Sequence, residues 1–83
     1  MKKQYGVAKE VIGPNLAYIR ALRGFKQQFV ADKAGCTRQH LSRIENGKVT
    51  PSYDMMDILA EVLQVNVSLF STKFIELDEW VED

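Results

Sequence analysis

Between Gln27 and Gly47 the chain reads QQFVADKAGCTRQHLSRIENG, and this stretch limits its fold more than any other part. Val30, Ala31 and Ala34 recur at helical spacing, and so do Leu41 and Ile44. Two short helices are therefore expected, about Gln27–Ala34 and Arg38–Glu45. Gly35 falls between them, where the chain must turn sharply and a positive φ is expected. Thr37 is placed to cap the second helix. With Leu41 and Ile44 turned inward, Arg38, Gln39, His40, Ser42 and Arg43 are left on the outward faces. A helix exposing those residues suits the floor of a DNA major groove. There Arg can pair bidentately with guanine and Gln with adenine.

The rest of the chain supplies the other parts of a small helical domain. Gly13-Pro14 precedes Leu16, Ile19 and Leu22, so a first helix is expected to open at Pro14 and run to about Arg23, where Gly24 ends it. Asn46-Gly47 is a turn signal. Thr50-Pro51-Ser52 opens a fourth helix, with Ser52 as its cap and Tyr53, Met56, Leu59, Ala60 and Leu63 as its inner stripe. Asn66 or Ser68 can start a short fifth helix that buries Val67, Leu69 or Phe70. Tyr18 and Phe29 fit either core or surface.

In this order and spacing, several runs resemble the Xre and phage-repressor family of helix-turn-helix domains, the lambda-repressor and Cro type. They are Leu16-x-x-Ile19-Arg20, Phe25-Lys26-Gln27, Val30-Ala31, Ala34-Gly35, Leu41-Ser42-Arg43-Ile44-Glu45-Asn46-Gly47-Lys48, Pro51-Ser52 and Leu59-Ala60-x-x-Leu63. The resemblance covers Ile12 to about Phe70. Phe29 departs from it, where a polar residue is usual, as does Asp57, where an apolar one is usual. It implies an all-α, compact five-helix domain that binds duplex DNA. By position it implies base contacts from Arg38, Gln39 and Arg43, to which the exposed His40 and Ser42 are added as candidates. Sugar-phosphate contacts are expected from Gln27, Thr37, Asn46 and Lys48. Thr37 can equally serve only as a cap, Asn46 only as a turn residue, and His40 only as surface. Arg20 and Glu45 fall on apolar stripes, where lone charges are costly to bury. The resemblance implies that they pair as a partly buried salt bridge.

Net charge is zero, which taken alone argues against a nucleic-acid partner. Its distribution reverses that reading. Residues 1–75 hold all eleven basic residues against six acids, a net +5, whereas residues 76–83 carry five acids and no base. The chain thus divides into a loose arm (1–11), a basic helix-turn-helix domain (12–70) and an acidic yet apolar extension (71–83). Phe70, Phe74, Leu77 and Val81 repeat at 4-3-4 spacing, and Trp80 adds further apolar surface. Together with Val67 and Leu69 they are expected to form a homodimer interface. The alternatives are that the extension holds a different protein or folds back on its own domain.

Other chemistries find little support. His40 has no His or Cys partner at ligand spacing, so no metal site is expected, and no cofactor either. Cys36 excludes an internal disulfide, fits a reducing cytoplasm and reads as core filler. Met55 and Met56 read as core or rim of the fourth helix. No Gly-rich phosphate loop, paired carboxylates or Ser-His-Asp arrangement is present, so an enzyme is not expected. The amino-terminal MKKQYGVAKEV lacks the apolar core of a secretory signal. A transcriptional repressor is the leading expectation. Behind it stand an antitoxin or restriction-modification controller of the same fold, and a protein-interaction module that has lost DNA readout.

Overall fold

A computed structural model describes residues 9–71 of the chain. Four α-helices follow one another: α1 (Lys9–Arg23), α2 (Gln27–Ala34), α3 (Arg38–Glu45) and α4 (Tyr53–Leu63). A 3-10 helix, Val67–Ser71, closes the fold, and the described residues include no strand. The class is all-α, as expected. The fifth helix is 3-10 rather than α. Its ring is set by Asn66, whose carbonyl accepts from the Leu69 N–H at 3.0 Å. The Asn66 side chain also accepts from the Ser68 N–H at 3.0 Å and hydroxyl at 2.9 Å. Five residues are too few for an α-helix to recover its nucleation cost unaided.

One apolar core joins all these elements. α1 contributes Ile12, Leu16 and Ile19, and α2 Val30, Ala31 and Ala34. Leu41 and Ile44 come from α3, then Met56, Leu59, Ala60 and Leu63 from α4, with Leu69 and Phe70 from the 3-10 helix. Two expected core residues are not in it. Tyr53 is 82% exposed, because as the first residue of α4 it projects past the core. Leu22 is 41% exposed. Six residues after Leu16 and three after Ile19, it lies about 60° beyond the near edge of the buried stripe. Arg23, seven after Leu16, lies closer to the stripe and meets α4. Its Nε donates to the Leu63 carbonyl at 2.8 Å and its Nη2 to that of Gln64 at 2.9 Å.

The first helix starts five residues earlier than Pro14 suggests, so Lys9–Val11 are helical rather than part of an arm. Pro14 sits exposed inside α1. Its missing N–H costs the bond to the Glu10 carbonyl. The reason for extending the helix lies one residue earlier. Gly13 is buried where α1 crosses the end of α3, and a Cβ there would overlap the Ile44 carbonyl oxygen and lie 2.9 Å from that of Glu45. Close packing against α3 therefore outweighs the two poor helix formers.

Candidate nucleic-acid interface

The turn between α2 and α3 is closed by two backbone bonds. The Gly35 N–H donates to the Asp32 carbonyl at 3.3 Å and the Cys36 N–H to that of Ala31 at 3.0 Å. This Schellman arrangement requires the left-handed backbone found at Gly35, with φ 78° and ψ 29°. The next helix opens at once: the Thr37 hydroxyl accepts from the His40 N–H at 3.0 Å. The other end of α3 is fixed in the same way. Gly47 N–H donates to the Ile44 carbonyl at 3.0 Å, and Lys48 N–H to that of Arg43 at 2.8 Å.

Between these stops α3 buries Leu41, Ile44 and Glu45. Arg38, Gln39, His40 and Arg43 are exposed, and Ser42 is half-buried. Ser42 and Asn46 are engaged with each other. The Asn46 amide donates to the Ser42 carbonyl at 2.8 Å and more weakly to its hydroxyl at 3.3 Å. Lys48 is exposed just beyond the helix. The structure thus leaves Arg38, Gln39, His40, Arg43, Asn46 and Lys48 exposed along α3 and the turn after it.

Beneath that surface lies a charged knot. Arg20 and Glu45 form a two-pronged ion pair, Nε to Oε2 at 2.6 Å and Nη2 to Oε1 at 3.0 Å. The Arg20 Nη1 also donates to the Phe25 carbonyl at 2.8 Å. Gln27, at the start of α2, donates from its amide nitrogen to Glu45 Oε1 at 2.8 Å. Glu45 is only 7% exposed, so each of these donors offsets the cost of removing its charge from water. Gln27 is therefore a strut between α2 and α3, and its amide oxygen remains to meet an outside group. The backbone start of α2 carries no side-chain cap and no acid in its first turn. Such an end is compatible with a phosphate.

Sequence reasoning missed several of these placements. It found neither the Gln27–Glu45 bond, nor the Asn46–Ser42 bond, nor Arg23 on the end of α4. The seven-residue step from Leu16 to Arg23 was the available signal for the last. Of the expected dimer residues, Leu69 (8% exposed) and Phe70 (1%) face the domain's own core, and Val67 is half-buried. Phe74, Leu77, Trp80 and Val81 lie outside the described residues.

Cys36 packs partly against the core, and burial pushes its thiol pKa up. It lines a shallow cleft with Gln28, Asp32, Thr37, Arg38 and Gln39, in which Gln28 donates to Asp32 at 2.9 Å. Among the described residues no group of three His, Cys, Asp or Glu could hold a metal ion. No helix among them is long and apolar enough to cross a membrane.

The HTH_3 helix-turn-helix family pattern matches residues 16–70, which span the ion pair, both helices of the turn and the 3-10 helix. The chain belongs to the HTH_3 family. Members of this family are DNA-binding regulators of transcription. An HTH-type transcriptional regulator of Sinorhizobium fredii, y4dJ, is 31% identical over 58 residues, which are 70% of this chain and 75% of the relative. The N-terminal DNA-binding domain of SinR from Bacillus subtilis is 30% identical with a TM-score of 0.71, covering 80% of this chain and 97% of that one. The restriction-modification controller protein C.AhdI from Aeromonas hydrophila superposes with a TM-score of 0.69 at 24% identity. That match covers 76% of this chain and 92% of the other, and at this identity it shows the fold alone.

Proposed function

We propose that this HTH_3 protein is a sequence-specific repressor that binds duplex DNA as a homodimer in the cytoplasm and blocks transcription by occupying a promoter. The observation that carries this reading is the outward face of α3. Four polar side chains able to read bases or meet phosphates, Arg38, Gln39, His40 and Arg43, project from a helix anchored at both ends. Arg38, Gln39 and Arg43 read base edges, with His40 and Ser42 beside them. Gln27, Thr37, Asn46 and Lys48 meet the sugar-phosphate backbone. SinR, 32% identical here with a TM-score of 0.67, has been solved in complex with DNA.

One such domain reads about half a site, so two copies are needed about one helical turn of DNA apart. The described surface offers an apolar edge for a twin. Ile58 is exposed, and Val62, Val65 and Val67 are half-buried. Residues 58 and 62 share one side of the end of α4, and Val65 and Val67 follow just beyond it. A self-complementary patch of this kind suits two-fold pairing. The dimer proposed here does not require the residues after Ser71.

Titration of labelled operator DNA, recovered by selection from a random library, tests the reading. A dimer neutralising about six to ten phosphates loses on the order of 10³–10⁵ in affinity between 50 and 200 mM salt. A salt-independent affinity, or selection that returns no preferred sequence, would overturn it.

A further inference from the structure

Opposite charges line the shallow cleft between the end of α2 and the start of α3. α2 supplies Gln28 and Asp32 to it, the turn Cys36 and Thr37, and α3 Arg38 and Gln39. Asp32 is the only acid among these six residues, and Arg38 the only base. Gln28 Nε2 donates to Asp32 Oδ1 at 2.9 Å. The two stand one turn apart on α2, so the bond holds the carboxylate against its own helix. Oδ2 keeps its capacity to accept. Across the cleft Arg38 is exposed, and it is the first residue of a helix with no acid in its first turn. A guanidinium there stands at the positive end of the helix dipole and gains from a nearby carboxylate. Asp32 and Arg38 share the cleft without forming an ion pair.

We propose that Asp32 is a positioning residue for Arg38: when α3 enters the major groove, Asp32 Oδ2 accepts from the Arg38 guanidinium and fixes the plane in which Arg38 meets guanine. The proposal rests on the DNA-binding reading above. The donor count allows it. A guanidinium has five N–H groups, a bidentate pair with guanine O6 and N7 uses two, and three remain. Orientation is what Arg38 lacks. At an exposed helix end its guanidinium satisfies a phosphate as readily as a base edge, and phosphate contacts carry no sequence information. Docking also strips water from both groups, which strengthens the attraction between them. The rival role for an acid at this place is repulsion, which lowers affinity for every sequence through the phosphate charge. Repulsion needs no particular carboxylate orientation, whereas the Gln28 bond supplies one.

Library selection and titration of the selected site decide between the two roles. Asp32→Asn, at an exposed position, is expected to lower the preference for guanine at the base read by Arg38 by roughly tenfold, with the other positions unchanged. Gln28→Leu, which releases the carboxylate but keeps its charge, is expected to give a smaller loss at that same base. In an Arg38→Ala background, where that preference is already gone, adding Asp32→Asn is expected to remove nothing more. Circular dichroism verifies that each variant is folded. Two results overturn the proposal: an Asp32→Asn variant that binds all sequences more tightly with its preferences intact, or equal losses with and without Arg38. Both leave a selective parent and so spare the DNA-binding reading. A parent that selects no sequence overturns the two together.

Discussion

Gly13 on α1 lies directly against the carbonyl oxygen of Ile44 on α3, with no room for a side chain between them. The obstacle is backbone, not a flexible side chain, so relief requires the helices to separate. Gly13→Ala is expected to destabilise the fold despite alanine's better helix propensity. Overpacking typically costs about 1–3 kcal/mol, against roughly 1 kcal/mol gained from propensity. Urea unfolding measures the difference. A more stable Gly13→Ala variant would mean that the two helices do not cross this closely.

Glu45 is held by Arg20 and Gln27 together. Glu45→Ala leaves the Arg20 guanidinium without its carboxylate. For a fully buried pair this costs about 3–5 kcal/mol. The Arg20 side chain is 18% exposed, so the loss falls toward or below the lower figure. Replacing both charges, as in Arg20→Met/Glu45→Leu, is expected to recover much of the stability. Thermal melts of the two variants distinguish lost attraction from a stranded charge.

Gln64 ends α4 with φ 62° and ψ 47°, a left-handed conformation that suits glycine. Its side chain is exposed, and its carbonyl, held by Arg23, survives substitution. Gln64→Gly trades about 1–2 kcal/mol of backbone strain against about 0.5–1 kcal/mol of chain entropy. A small gain in stability is expected, readable as a raised denaturation midpoint with an unchanged slope.

On DNA, Arg43→Ala and Gln39→Ala are expected to cost roughly 1–3 kcal/mol each on the cognate site and to relax preference at single positions. Lys48→Ala weakens all sequences alike and lowers the salt slope by about one. Library selection with each variant separates the two behaviours. If all three keep the parent's preference, bases are read from elsewhere on the protein.

Cys36 is expected to resist alkylation in the folded state. Burial raises its pKa, so at pH 7–8 it holds less thiolate than an exposed cysteine, and the thiolate is the reactive form. Its labelling rate should rise sharply once urea unfolds the chain.

Most of this architecture was legible because local rules and tertiary packing agree along it. Gly35, Thr37 and Ser52 each perform the turn or cap their chemistry favours. Reading failed where a long-range contact overrode the local rule. Pro14 suggested a helix start, yet the fit of Gly13 against α3 carries α1 back to Lys9. Leu22 looked like core until its angular drift was counted, and Arg23, given no role by the sequence, meets the carbonyls of Leu63 and Gln64 at the end of α4. The outward residues of α3 follow from its periodicity. The Gln27 bond to Glu45 joins residues 18 apart, and no pattern along the chain encodes it.

The knot around Glu45 sits at the last residue of α3, next to the place where α1 rests on the helix. The opposite end is secured by the Thr37 cap and opens onto a shallow cleft. α3 is therefore held at both ends, but only its C-terminal end also carries the buried charge network. Arg43 stands two residues from that network, Arg38 and Gln39 six to seven. Under the proposed DNA-bound arrangement, breaking the network is expected to relax the half-site first where Arg43 reaches it and last where Arg38 does.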